Sequence, residues 1–178
     1  MATAVITWGR MNPPTAGHEK LVNKLRKASR FHSGKPFVFL TKTFKKPKDP
    51  LPYRDKVKLA KKAFGNIVKD HKGKTLIDLM KELEKKYDDL YVVVGSDRVS
   101  EFETLLNKYN GKDYTFSSIT ILSAGERDPD AEGVSGISAS KMRKFAADDD
   151  YDSFAKGLPS LIRGSTAKKA FDLVRKNL

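Results

Sequence analysis

The chain has 178 residues, 39% hydrophobic and 32% charged, with 12 Gly and 8 Pro. That is enough apolar material for one compact domain and too much for wholesale disorder. Lys and Arg number 35 against 22 Asp and Glu, a formal charge of +13, and there is no Cys. A disulfide scaffold, a thiolate metal site and a cysteine nucleophile are therefore excluded.

No apolar run approaches the roughly 20 residues needed to span a bilayer. The opening Met1–Trp8 lacks the basic segment of a signal peptide. The lysines are spread along the chain in pairs such as Lys45-Lys46, Lys61-Lys62 and Lys85-Lys86, which read first as solvated faces. Their summed field suits anionic small molecules as well as a nucleic-acid backbone.

In chain order, residues 3–8 are β-rich and run directly into Gly9-Arg10-Met11-Asn12-Pro13-Pro14, which cannot be helix. From Gly17 the pattern turns helical, with Leu21, Val22, Leu25 and Ala28 on one face. Phe37–Leu40 reads as a short buried strand. A basic, proline-rich loop from Lys42 to Pro52 leads to a helix through Val57, Leu59, Ala60, Ala63 and Phe64. Thr75–Tyr87 reads as a third helix and Leu90–Val94 as the clearest strand, closed by Gly95-Ser96-Asp97. A helix near Val99–Tyr109 and a strand around Ser118–Leu122 follow. The Gly/Asp/Pro-rich segment from Ser123 to Gly136 reads as a loop, and helices are expected from Ser138, at Asp152–Lys156 and at Ala167–Lys176. Alternating strands and helices with continuous apolar strands predict a parallel α/β sheet covered on both faces, which binds ligands at the carboxyl ends of its strands. The expected organisation is one domain over 1–178, with a core at about 3–147 and a helical segment at about 150–178.

Two segments carry chemistry. Gly9 to His18 joins the first strand to the first helix and has the makings of a phosphate cradle. Glycine permits close backbone approach, and the helix start offers backbone N–H groups and the positive end of the dipole. Thr15 adds a hydroxyl and His18 an imidazole. Taken alone, a rigid loop with a capping Thr and a surface His explains the segment as well. In Ile137-Ser138-Ala139-Ser140-Lys141-Met142-Arg143, Ser138 reads as an N-cap, with Ser140 and Arg143 near one face. Alone, this too is an ordinary capped helix; together, the two helix starts could hold a polyphosphate.

The pair resembles the signatures of the nucleotidyltransferase superfamily: (His/Thr)-x-Gly-His after the first strand and Ile-Ser-x-(Ser/Thr)-x-x-Arg late in the chain. The resemblance runs from Val5 to about Phe145. Gly9, Arg10, Pro13, Gly17 and His18 are similar to the opening of the short archaeal nicotinamide-mononucleotide adenylyltransferases; Met11 stands in place of Phe, and Thr15 is similar to the phosphopantetheine adenylyltransferases. Pro-Pro-Thr-Ala-Gly-His also resembles compact proteins of tailed bacteriophages, for which the compartment would be the host cytoplasm.

The resemblance implies a Rossmann-like domain with a mostly parallel five-stranded sheet. It implies AMP transfer from ATP, with Mg2+ carried by the nucleotide, to a small phosphorylated acceptor, nicotinamide mononucleotide before phosphopantetheine. It implies Thr15, His18 and Arg143 as the catalytic set. Gly9, Arg10, Met11, Gly17, Gly95, Asp97, Ile137, Ser138 and Ser140 would bind nucleotide, and Lys42 and Lys46, with Lys45, would meet phosphates. Arg10, beside the strand end, is expected buried against an anion. Transfer of a cytidylyl group, a homo-oligomer, and a non-catalytic basic protein binding nucleic acid or a virion component remain open. Asp55-Lys56 stands where relatives carry Glu-Arg, and Lys56 cannot copy a bidentate guanidinium. Trp8 reads as core. Gly73-Lys74-Thr75 lacks the upstream glycine of a P-loop. Asp148-Asp149-Asp150 reads as a solvated turn, and His18, His32 and His71 show no metal-ligand spacing.

Overall fold

The computed structural model describes residues 2–125 and 137–178. Four strands, β1 (Thr3–Gly9), β2 (Lys35–Leu40), β3 (Asp89–Val94) and β4 (Ser118–Ser123), form a sheet in the order β2-β1-β3-β4. The β1–β3 and β3–β4 pairs run parallel, in register from Thr3↔Asp89 and Asp89↔Ser118. β1 and β3 are central, and their Val/Ile-rich runs are buried accordingly, whereas β4 at the edge shows an interrupted pattern. The order reverses between β1 and β3, so the segment leaving the carboxyl end of β1 starts at the switch point.

The helices are α1 (Ala16–Phe31), α2 (Tyr53–Phe64), α3 (Leu76–Leu83), α4 (Val99–Tyr109), α5 (Ala139–Ala147), α6 (Tyr151–Gly157) and α7 (Gly164–Lys176). The expected α/β class holds, with one correction. Four strands, not five, are present among the described residues. The fifth came from the family pattern; the apolar runs of this chain supply only four strand-like segments. Of the loop expected over Ser123–Gly136, positions 126–136 lie outside the described residues.

The chain sorts into two compact units, each assembled from separated segments. The first comprises residues 1–8, 21–39 and 69–127. Its core packs Ile6, Val92 and Val94 of the sheet with Leu79, Met80, Phe102, Leu106 and Tyr114, each apolar side chain contributing about 1.5–3 kcal/mol when fully buried. Trp8 packs against this core, its ring 5.1 Å from that of His71. α3 starts at a reciprocal cap. Thr75 Oγ1 accepts from the Asp78 amide at 3.1 Å, and Asp78 Oδ2 accepts from the Thr75 amide at 3.2 Å. The amides of Lys74 and Thr75 hold the Asp78 carboxyl below its ordinary pKa. Gly73-Lys74-Thr75 is thus a helix cap. The helix is shorter than the expected Thr75–Tyr87. Lys86 and Tyr87 both bond back to the Leu83 carbonyl, and the Asp88 amide is taken by the Ala2 carbonyl at 2.9 Å, which draws the chain into β3.

The second unit comprises residues 9–20, 40–68 and 128–178. Phe171 of α7 is its aromatic centre, with the rings of Phe154 and Tyr151 at 5.3 and 5.2 Å. Gly157 is required by contact: a Cβ there would collide with Met142 Sδ and meet Ile137 Cγ2 at 3.1 Å. The Asp148–Asp150 turn is as expected. Asp150 caps α6 by accepting from the Ser153 amide at 3.2 Å, and Asp149 pairs with Arg175 at 2.7 Å. Among the described residues no helix is long and apolar enough to cross a membrane.

Candidate active site

The second unit brings together most of the residues singled out from sequence. Its first component is the loop from Gly9 to Thr15. Met11 adopts φ 44°, a left-handed conformation costly for a side-chain-bearing residue, and is buried with Asn12 and Thr15 at 2% exposure or less. A Cβ on Gly9 would meet no protein atom within 4 Å, so packing does not explain the glycine. Arg10, expected to be buried, is exposed; its guanidinium is long enough to stay in water when its backbone is in a tight turn.

Thr15 and His18 cap α1 reciprocally. The His18 amide donates to Thr15 Oγ1 at 3.3 Å, the Thr15 amide donates to His18 Nδ1 at 2.9 Å, and the Thr15 carbonyl accepts the first helical bond from Glu19 at 3.1 Å. A backbone N–H can only donate, so Nδ1 is the acceptor and the proton of the neutral ring resides on Nε2. The histidine is thereby fixed in orientation and in tautomer by the residue three positions before it. Gly17, between them in the first turn, adds no side chain.

The second component is α5. Ser138 is its N-cap, accepting from the Lys141 amide at 3.2 Å. Arg143 is half-buried. Its Nη1 donates to the Asn12 carbonyl at 3.0 Å and its Nη2 to Ser140 Oγ at 3.1 Å. Residues 131 positions apart are thus joined by one guanidinium. Ile137, just before the cap, packs toward Gly157. Burial lowers the Arg143 pKa, Asp49 opposes that shift, and Arg10 reinforces it.

The third component, the β2–α2 loop, shows what the sequence reading missed. Asn12 Nδ2 donates to the Leu51 carbonyl at 3.2 Å, and Asn12 Oδ1 accepts from the Leu51 amide at 2.8 Å. This pairing imitates a strand ladder and clamps the loop to the Gly9–Thr15 segment. The Thr41 amide donates to the Gly9 carbonyl at 3.0 Å. Lys56 is fully buried, with Nζ 3.2 Å from Thr41 Oγ1. Its pKa falls from 10.5 to about 8, chiefly through burial, with Asp49 opposing the fall and Arg10 adding to it. Asp49 is itself 4% exposed. Lys42 lies over the Tyr53 ring, 5.3 Å from its centroid, while Lys45 and Lys46 are exposed on the turn that the Lys45–Asp49 backbone pair closes.

Gly95 and Asp97 belong to the first unit, at the end of β3. A Cβ on Gly95 would come within 2.8 Å of Asp97 Oδ1, so the glycine makes room for the carboxylate. Within the second unit, a hollow of about 250 Å³ opens beside Ala16 and Glu19, with Lys156, Ser160 and Arg163 around it. The Glu19 carboxylate is held there by the Ser160 amide at 2.8 Å and hydroxyl at 2.6 Å.

A helix start presenting a fixed imidazole, a second presenting hydroxyls and a guanidinium, and a buried lysine thus fall in one unit, and each is a group whose chemistry suits phosphate. The chain belongs to the cytidylyltransferase-like family of nucleotidyltransferases, whose model matches residues 6–145. Among curated proteins, the chain is 26% identical over 156 residues to a probable nicotinate-nucleotide adenylyltransferase of Acholeplasma laidlawii, covering 76% of this chain and 82% of the relative. Among solved structures, it is similar to Plasmodium falciparum nicotinic acid mononucleotide adenylyltransferase complexed with APC. That likeness has a TM-score of 0.56 and 18% identity, and covers 99% of this chain and 96% of the other.

Proposed function

We propose that the protein transfers AMP from ATP to a pyridine mononucleotide, releasing pyrophosphate. The observation that carries this reading is the Arg143 guanidinium bonded to the Asn12 carbonyl at 3.0 Å, which joins the two signature segments in one unit. The names of the two relatives point to the pyridine-nucleotide branch, and the Gly9-Arg10 pair points the same way. The exposure of Arg10 takes away the argument that its burial demands an anion, but leaves it able to reach an acceptor phosphate.

In this reading an oxygen of the acceptor phosphate attacks the α-phosphorus in line. The bond from that phosphorus to the α–β bridging oxygen breaks, and the oxygen departs with pyrophosphate. No protein nucleophile is needed, so the chain contributes position and charge. His18 donates from Nε2 to the α-phosphate oxygens as charge develops. Arg143, Ser140 and the amides of α5 hold the β- and γ-phosphates. Gly9 leaves the approach to the backbone open, and the hollow beside Ala16 has room for a purine. Among the described residues the cluster is cationic and its one buried carboxylate, Asp49, stands among those cations, a donor set ill-suited to a divalent metal. Magnesium therefore enters with the nucleotide, as its counter-ion.

The test is to incubate the protein with ATP, magnesium and, separately, nicotinamide mononucleotide, nicotinate mononucleotide and phosphopantetheine, and to separate the products by chromatography. The better pyridine mononucleotide is expected to exceed phosphopantetheine by at least ~10-fold in efficiency, about 1.4 kcal/mol. The reverse preference moves the protein to the pantetheine branch. Within the pyridine pair we expect nicotinamide mononucleotide to be preferred, and a higher rate with the nicotinate form corrects that choice.

A further inference from the structure

Asp49 is a buried charge that the reaction, as derived above, does not use. It is 4% exposed, and its Oδ1 has no hydrogen-bond partner among the described residues. A carboxylate in that position is costly unless neighbouring charge offsets its lost hydration. It is not there by accident of a mobile turn. The Lys45 and Asp49 backbones bond reciprocally at 3.1 and 2.7 Å, and Leu51, two residues on, is clamped by Asn12.

Three cations from three segments act on this region. Lys56 of α2 feels Asp49 favourably and Arg10 of the β1–α1 loop unfavourably, and Arg143 of α5 feels the same two groups with the same signs. Three like charges gathered to receive a phosphate repel one another before the phosphate arrives. A fixed carboxylate among them relieves that repulsion and keeps the lysine protonated. The carboxylate cannot itself touch a phosphate, since the two would repel.

We propose that Asp49 is a positioning residue, whose buried carboxylate keeps Lys56 charged and holds Lys56 and Arg143 in place for a phosphate-bearing substrate. The proposal deepens the functional reading above and rests on it for the identity of that substrate. Asp49 acts through its neighbours, so its removal changes the pH range over which the site binds anions more than it changes the site's shape.

The experiment uses the full chain, inorganic pyrophosphate as probe, and Asp49→Asn, which keeps the size of the side chain. The Lys56 side-chain NMR signal, assigned by its loss in Lys56→Arg, should titrate near 8 in the native protein, and lower by about half a unit or more in Asp49→Asn. Calorimetric pyrophosphate affinity should fall up to about 2-fold in the variant near pH 8 for a half-unit shift, and match or exceed the native value near pH 6, where the lysine is charged in both and the repelling carboxylate is gone. In Lys56→Arg the alkaline limb should disappear, and adding Asp49→Asn to it should produce no pH shift. An unmoved Lys56 midpoint, an affinity loss equal at all pH values, or a shift that persists in the double variant each overturns the proposal. If Asp49→Asn does not fold, Asp49→Ser takes its place in the same titration, and an unmoved Lys56 midpoint there overturns the proposal. These readouts need no turnover: if no pyridine dinucleotide forms while the titration shift is present, the acceptor assignment falls and the role of Asp49 stands.

Discussion

Replacing Lys56 by Met imitates the neutral form of a lysine that the fold keeps charged at a cost. Lys56 is fully buried, and its pKa falls from 10.5 to about 8. That fall corresponds to about 3 kcal/mol of differential stability between the two protonation states. The sign follows from proton binding. Below about 8 the lysine is charged in both folded and unfolded chains, and the folded state bears the full cost. Between about 8 and 10.5 the folded lysine gives up its proton while the unfolded one keeps it, so stability rises with pH relative to a non-titrating residue. Above 10.5 both are neutral and the contribution ends. Lys56→Met should therefore be more stable than the native protein near neutral pH by about 3 kcal/mol, or about 6–12 °C in Tm for a chain of this length. The gain should vanish by about pH 10.5. Urea unfolding of both proteins across this range, plotted as the difference between them, cancels the other titrating groups. A flat difference curve refutes the argument, as does a variant less stable than the native protein at every pH. Pyrophosphate binding should weaken in the same variant, which would identify Lys56 as a charge kept for function at the expense of stability.

Two further outcomes follow from the helix starts. His18→Ala should lower kcat by about 10²-fold or more while ATP affinity changes little, because its Nε2 proton serves charge that develops in the transition state; a variant with native kcat removes His18 from the reaction. Arg143→Lys should lose most activity with ATP and CTP alike, since a lysine cannot bond the Asn12 carbonyl and Ser140 Oγ together as the guanidinium does at 3.0 and 3.1 Å; native kinetics in that variant would make Arg143 a surface helix residue.

Much of the fold was legible because its elements announce themselves locally. Val/Ile runs place β1 and β3, the period of Leu21, Val22, Leu25 and Ala28 places α1, and Thr15, Ser138 and Thr75 sit where capping chemistry needs them. The helix expected to reach Tyr87 ends at Leu83, where the Lys86 amide tightens the last turn onto the Leu83 carbonyl, and the Asp88 amide then turns to the Ala2 carbonyl. The candidate site was half legible. His18, Ser140 and Arg143 stand in short motifs that spacing picks out, and the structure places all three in one unit. Asn12 acts on Leu51, 39 positions away, and no local pattern distinguishes such a clamp from a loop asparagine. Lys56 is one lysine among many, and the expectation for each is solvation; only the folded loop around Thr41 and Asp49 removes this one from water. Arg10 fails in the opposite direction, because proximity of a backbone to a strand end says little about where a long flexible side chain ends.

The second unit draws on residues 9–20, 40–68 and 128–178, and this has a consequence for the order in which the protein can be made. A chain emerging from the ribosome presents the Thr15–His18 cap first. The Asn12 clamp can close when Leu51 has appeared, but Arg143 and the aromatic centre at Phe171 emerge well after it. At about 5–20 residues per second, the histidine waits several seconds for its guanidinium. Nascent chains that stop short of α5 therefore carry the first signature without the second.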